Sequence, residues 1–417
     1  MAVVAPFRAL RPTLPSASAV AAVPYDVVTT QEARALAEGN PLSFLHVSRA
    51  EIDFPQETNP HADVVYAKAA ENFKALKDRA PLVLEEAPSL YVYRLRMGDC
   101  AQTGIAGCFS VAEYDADVIK KHERTRRDKE DDRTRHMIEL RAQTGPVFLI
   151  HRASPEVAAV VARATGSVRV ASAVRCAETP PLCDFTAVDG VQHTIWRVDG
   201  ENQRELVAAF AGVPVLYVAD GHHRAASAAR ARQHFRGAGG ETGEWDRFLG
   251  VAFPSDQARI LPYNRVVKDL GAQTPDSLLA ALRQQVTVKT GPATPKRKGD
   301  VSMFLGGGWH TIELGTPPPG AGAAERLDVS RLQALVLVPL LGIGDVRTDE
   351  RIDFVGGAHG TAQLEALVSS GQAAVAFSMY PVSVADLMAI SDAGGIMPPK
   401  STWFEPKLRD GLLSHVI

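Results

Sequence analysis

The chain is poor in the features that would assign it quickly. It has four cysteines in 417 residues, Cys100, Cys108, Cys176 and Cys183. None forms a Cys-x-x-Cys pair and no histidine lies at zinc-ligand spacing from them. They read as reduced thiols, and no residue is assigned as a metal ligand. An excess of charge of one sign is lacking too: 45 Lys and Arg nearly balance 48 Asp and Glu, for a formal net charge of −3. Such a chain has no global field to draw it onto nucleic acid or an anionic membrane, so any phosphate binding must be local. No apolar run approaches the roughly 18 residues of a membrane helix. The opening segment is broken by Pro6, Pro12 and Pro15 and lacks the apolar run of a signal peptide. The expected location is cytoplasmic. There is no internal repeat, no Walker loop, no Gly-x-Ser-x-Gly and no His-Glu-x-x-His.

What remains is a globular composition. Hydrophobic residues make up 46%, enough for a large core and for two or three domains. Thr29, with Glu32 three residues on, predicts a capping box for a helix to Glu38, ended by Gly39 and Pro41. Val65, Ala69, Phe73 and Leu76 fall on one face of a helix from His61 to Arg79. Ser89 to Arg96 and Thr103 to Val111 read as a hairpin around Met97-Gly98-Asp99. Pro146 to Arg152 reads as a strand, and Ser154-Pro155 opens a helix. Residues 190–235 alternate strand, helix, strand, helix, which argues for an α/β layer. Gly237 to Gly240 and the stretch Gly315 to Gly322 read as loops. Helices are expected over Pro275–Gln285, Val329–Leu341, Thr361–Ser369 and Ser383–Ala393, with a strand over Ala373–Met379. A division near residue 240 separates an α/β part, 1–240, from a mixed α+β part, 241–417.

The strongest chemical signal is the run from Leu216 to Arg230, in which an apolar strand enters an Ala-rich helix through Asp220-Gly221-His222-His223-Arg224. Gly221 has no Cβ, so backbone can approach a ligand there. The helix start at about His222 offers N–H groups and a positive dipole end to an anion. Arg224 adds a bidentate fork for phosphate oxygens. Asp220 is placed to orient a hydroxyl or hold Mg²⁺. The plainer alternative is a tight turn with a capping aspartate and solvent-facing histidines.

Gly221, His223 and Arg224 match a turn that resembles the phosphate-binding turn of the ParB partition protein and sulfiredoxin superfamily. The reactive cysteine of sulfiredoxin would fall at His222, so its sulfur chemistry is not implied. A wider resemblance rests on Tyr25-Asp-Val-Val28, Asn40 to Val47, His122-Glu-Arg-Thr125, Lys129 to Arg133, Ala219 to Arg224, Arg351 to Gly357 and Met397 to Lys407. Together these look like a bacterial family labelled a domain of unknown function, which is similar to the free serine kinases. That resemblance implies an N-terminal ParB/sulfiredoxin-like part. It also implies nucleotide-dependent phosphoryl transfer from ATP or ADP, with Mg²⁺, to a small hydroxylated metabolite, L-serine being the model. The rival readings are a nucleotide-binding switch without turnover and a DNA-associated partition factor. The slightly negative charge and the lack of a basic helix-turn-helix speak against the last.

The almost wholly charged segment from Ile119 to Arg135 is the second candidate. A kinase needs a base near the attacking hydroxyl and cations on the transferred phosphoryl. Glu123 suits the base, His122 a titrating partner, and Lys120, Arg124 and Arg133 the clamps. The alternative is a solvated helix laced with i,i+4 pairs. Asp26 is either a substrate ligand or a turn aspartate. Ser43 and His46 read as residues of an apolar strand, His46 as a satisfied core histidine. In the C-terminal run Trp403 suits stacking on a base and Lys400 a phosphate, but a structural strap is the better reading of that segment. The expected partners are a nucleotide and a small-molecule substrate, with no membrane and no nucleic acid.

Overall fold

The computed structural model describes residues 2–79, 82–166, 180–237 and 240–417. Contacts divide the chain into two compact units, Met1–Ala258 with Pro406–Ile417, and Arg259–Glu405. The division falls later than residue 240, because the strand Arg247–Pro254 completes the sheet of the first unit. The last twelve residues also return to that unit, where Ala22 pairs with Asp410 and Gly411 donates to the Thr144 carbonyl at 3.1 Å.

The first unit is built on a nine-stranded mixed sheet. Its strands are β1 (Val4–Ala5), β2 (Leu90–Met97), β3 (Cys100–Ser110), β4 (Ile119–Lys120), β5 (Val147–His151), β6 (Cys183–Thr186), β7 (Gln192–Val198), β8 (Leu216–Asp220) and β9 (Arg247–Pro254). They lie in the order β4-β8-β5-β9-β3-β2-β7-β6, with β1 added on β3. β2 and β3 form the expected hairpin, tightened to Gly98-Asp99 between paired Met97 and Cys100, with Gly98 at φ +57°. β4 runs parallel to β8, pairing Ile119 with Leu216 and Lys120 with Tyr217. Leu216 to Ala219 are all buried, as a strand covered on both faces requires.

The helices of this unit are α1 (Thr30–Ala37), α2 (Asp63–Arg79), α3 (Arg127–Leu140), α4 (Pro155–Ala164), α5 (Gly200–Phe210) and α6 (His222–Arg236). The capping box of α1 is present, with Glu32 N–H donating to the Thr29 hydroxyl at 3.2 Å. Ser154 caps α4 through Val157 N–H at 3.3 Å. On α2, Val65, Ala69, Phe73 and Leu76 are buried together, as their spacing predicts. Leu206 and Phe210 of α5 and Ala225, Ala228 and Ala231 of α6 join Val218 and Phe248 in the main core. The alanines let α6 lie close to the sheet.

Residues 40–48 are not a strand. The Asn40 side chain accepts from Leu42 N–H at 3.1 Å, and the Ser43 hydroxyl accepts from Leu45 N–H at 3.3 Å. These local bonds turn the chain into a short helix, Leu45–Ser48. Phe44, Leu45 and Val47 are buried in a second core with Phe73, while His46 is only partly covered and its Nδ1 lies 2.7 Å from Asp53.

The second unit carries a six-stranded sheet of β10 (Tyr263–Val267), β11 (Thr287–Thr290), β12 (Asp300–Leu305), β13 (Gly308–Glu313), β14 (Ile352–Gly356) and β15 (Val375–Ser378). The order is β11-β13-β12-β15-β10-β14. Helices Pro275–Gln285, Gly360–Ser369 and Val384–Asp392 stand where the sequence places them, and the stretch Gly315–Gly322 holds no helix or strand. The fold is a mixed α/β one. No helix among the described residues is long and apolar enough to cross a membrane.

Candidate functional site

Because β4 and β8 are parallel, the segments that follow them leave the sheet at the same end. One carries Lys121-His122-Glu123-Arg124 and the other Gly221-His222-His223-Arg224. The carboxyl ends of parallel strands are where open α/β sheets place ligands. The pairing of β8 with β5 slips between Val218 and Asp220, a bulge of the kind that re-aims a side chain. Gly221 then sits at φ +88°, in the left-handed region, and α6 begins directly after it. A Cβ there would lie 3.0 Å from Nε of Arg224. The turn therefore needs glycine for backbone conformation and for close packing alike.

Three of the assigned residues come together at this end of the sheet. His122 and His222 meet edge to face, their ring centroids 4.4 Å apart and their planes perpendicular. Both are buried, at 2% and 5% exposure. Burial pushes the His122 imidazole down to about 4. Burial, then the neighbouring His122, holds His222 well below the usual histidine range. Both rings are thus neutral at pH 7. Donor atoms of His122, Glu123 and His222 all lie within 4.8 Å of one another, with Glu123 on the exposed side. His223 faces another way: its Nε2 accepts from Arg126 N–H at 3.0 Å, which ties the two segments together.

Asp220 is engaged on both oxygens. Oδ1 accepts from Gly221 N–H at 3.0 Å and Oδ2 from Lys407 Nζ at 3.1 Å. Burial works to raise its carboxyl, but the Lys407 and Arg224 cations outweigh it and hold the group well below the usual carboxylate range. Asp220 therefore fastens the turn to Lys407.

Arg224 and Arg133, expected as phosphate clamps, are both turned inward. Arg224 is 8% exposed, and its Nη1 donates to the Pro146 carbonyl at 2.6 Å. Its Nη2 lies 3.8 Å from Asp220 and 3.9 Å from Asp26. An i,i+3 offset from Gly221 turns the guanidinium under the turn, toward the body of the unit. Arg133 is likewise turned inward: it pairs with Asp132 at 2.7 Å, donates to the Ser48 carbonyl at 3.2 Å and lies 4.1 Å over the Tyr25 ring. The two arginines line a small cavity of about 40 Å³ with Tyr25, Thr144 and Asp410. Asp26 stands beside Arg224, where the ion pair gives it a structural partner. Lys120 is partly covered within β4, and Arg124 is exposed.

The charged segment is not a free solvated helix. Within α3, Asp132, Thr134, His136, Met137 and Leu140 are buried. Its outer charges pair with other elements, Arg135 with Asp63 at 2.7 Å and Glu130 with Arg230 at 3.5 Å. The Ser227 hydroxyl donates to the Glu130 carbonyl at 3.2 Å. Two residues that matter were passed over in the sequence. Lys407 ends the Met397–Lys407 motif, so a signal existed, but the aromatic residues of that motif drew the assignment instead. Asp410 carries no motif; burial lifts its carboxyl to about 7. In the second unit Trp403 packs edge-on against Tyr263 at 5.2 Å and donates to Glu405 at 2.8 Å.

A family model described as "Protein of unknown function (DUF1015)" matches residues 4–330. The chain belongs to this family. Among curated proteins none matches. Solved structures that share its outline are distant. A conserved hypothetical protein from Pyrococcus furiosus is 12% identical over 75% of this chain and 95% of its own, with a TM-score of 0.36. A free serine kinase in complex with AMP is 12% identical over 74% of this chain and 92% of its own, with a TM-score of 0.36. C-terminally truncated SbnI from Staphylococcus aureus is 12% identical over 75% of this chain and 87% of its own, at 0.38. At such distance the likeness bears on neither substrate nor mechanism.

Proposed function

We propose that this DUF1015 protein transfers a phosphoryl group from ATP or ADP to the hydroxyl of a small metabolite, with free L-serine as the first candidate. The observation that carries the reading is the parallel exit of β4 and β8. It sets His122 and Glu123 of one segment beside His222, the first residue of the helix in the other. In this reading the first-turn amides of α6, which have no intrahelical acceptor, meet phosphate oxygens. Arg124 and Lys120 supply the cations, and Glu123 accepts the proton of the attacking hydroxyl. His122 and His222, neutral at pH 7, contribute lone pairs or N–H groups but no charge. Arg224, Asp220 and Lys407 hold the turn in shape from beneath. Mg²⁺ would be carried chiefly by the nucleotide phosphates and water, which is how this ion is usually held. In this reading Gly221 and the helix start make the phosphate turn, while Arg224 serves the frame.

The test is incubation of the purified protein with labelled ATP, ADP or CTP and a metabolite pool containing serine. Label on a hydroxylated metabolite is the expected result. Tight nucleotide binding without transfer would instead favour a switch, and neither binding nor transfer would sink the reading.

A further inference from the structure

We infer that His122, Glu123 and His222 form a site for a first-row transition ion, Zn²⁺ foremost. Three observations support it. Donor atoms from the three side chains lie within 4.8 Å of one another. A four-coordinate ion with bonds of about 2.1 Å sets its ligands about 3.4 Å apart, a gap that a small turn of the exposed Glu123 closes. The second observation is independent of that spacing. Both histidines are buried, yet Nδ1 and Nε2 of His122 and Nε2 of His222 have no hydrogen-bond partner. Buried polar atoms are normally satisfied, and orphaned imidazole nitrogens this close to one another are what a metal ion would satisfy. The third is the outer shell. The Val218 backbone neighbours the His122 ring, and its carbonyl would accept the ring N–H left over once the other nitrogen ligates.

The neighbouring residues set the limits of the site. His223 is excluded as a ligand, because its Nε2 lone pair already accepts Arg126 N–H and its other nitrogen then carries the proton. Asp220 lies outside the group of donor atoms that come together, and its oxygens accept from Lys407 and Gly221. The protein thus supplies two imidazoles and one carboxylate, and leaves a fourth position to water or a ligand oxygen. That is the ligand count of a catalytic rather than a structural zinc site. Imidazole donors select Zn²⁺, Fe²⁺, Co²⁺ or Ni²⁺ over Mg²⁺, so this ion is distinct from the one that accompanies a nucleotide. The site is compatible with the phosphotransfer reading, in which the Glu123 carboxylate accepts a proton. It does not rest on that reading, and it is measured without nucleotide, so either can fail alone.

The experiment is titration of chelator-stripped, full-length protein with Zn²⁺ and with Co²⁺. The expected result is one equivalent of Zn²⁺ per chain and an intense visible Co²⁺ band of four-coordinate type. His122→Ala and His222→Ala, with circular dichroism as a fold control, should weaken Zn²⁺ binding by more than about tenfold, since even outer-shell changes cost roughly that much. Asp220→Asn should leave the stoichiometry unchanged. The Co²⁺ spectrum of the unaltered protein decides the matter should a histidine variant fail to fold. Absence of Zn²⁺ binding, a weak octahedral Co²⁺ spectrum, or full Zn²⁺ binding by folded histidine variants would each overturn the assignment.

Discussion

Arg224→Lys separates a ligand from a frame residue. In the structure the guanidinium is 8% exposed and makes one short bond, Nη1 to the Pro146 carbonyl at 2.6 Å. Asp220 and Asp26 stand further off at 3.8 and 3.9 Å. Lysine keeps the charge, and so keeps part of the attraction to the two carboxylates, but it cannot reproduce the planar group packed beneath Gly221. Loss of a charge-assisted hydrogen bond costs about 1.5–3 kcal/mol, and the buried carbonyl left behind makes the upper half of that range the better figure. For a unit of this size each kcal/mol lowers the melting temperature by roughly 2–4 °C, so a fall of roughly 4–12 °C is expected. Arg224→Met, which removes the cation beside Asp26 and Asp220, should cost more, about 3–5 kcal/mol. Nucleotide affinity, measured by calorimetric titration well below the melting temperature, should change by no more than about twofold in Arg224→Lys. An unchanged melting temperature with affinity lowered tenfold, about 1.4 kcal/mol, would falsify the frame role and restore Arg224 as a phosphate ligand.

Three further outcomes are expected. Glu123→Gln should lower the transfer rate by about 10²–10⁴-fold while nucleotide binding persists, and a rate within threefold of the unaltered protein in the same labelled-nucleotide assay would remove Glu123 as the base. Gly221→Ala forces a side chain into φ +88° and against Arg224, so it should cost about 1–2 kcal/mol in denaturant unfolding and weaken nucleotide binding; a silent substitution would mean that the turn is not held as described. Burial lifts Asp410 to about 7, so the folded chain keeps a proton that the unfolded chain releases near pH 4. Stability of the unaltered protein should therefore be lost as pH rises from about 4 to about 7, by at most about 1.4 kcal/mol per unit, and level off above; Asp410→Asn should lack this slope, and parallel curves for the two in urea unfolding would refute it.

What the sequence determined by itself was local. Capping residues, the spacing of apolar side chains and turn glycines act over a few residues, so α1, α2, the β2–β3 hairpin and the β8–α6 join were legible without any tertiary contact. The error at residues 40–48 has the same origin. Alternating apolar residues suggested a strand, while the side chains of Asn40 and Ser43 bonded to nearby amides and made a turn. The site divides along the same line. Gly221 and the helix start announced a ligand turn, and the charged run announced a second segment, but nothing in either said that they meet. Only the parallel pairing of Ile119–Lys120 with Leu216–Tyr217, across almost a hundred residues, brings His122 against His222. Tertiary structure also decided the fate of the charges. An arginine in the first turn of a helix can face solvent or the interior with the same sequence around it. Arg224 faces inward because the Pro146 carbonyl, Asp26 and Asp220 surround it there, and Lys407, distant in sequence, holds Oδ2 of Asp220.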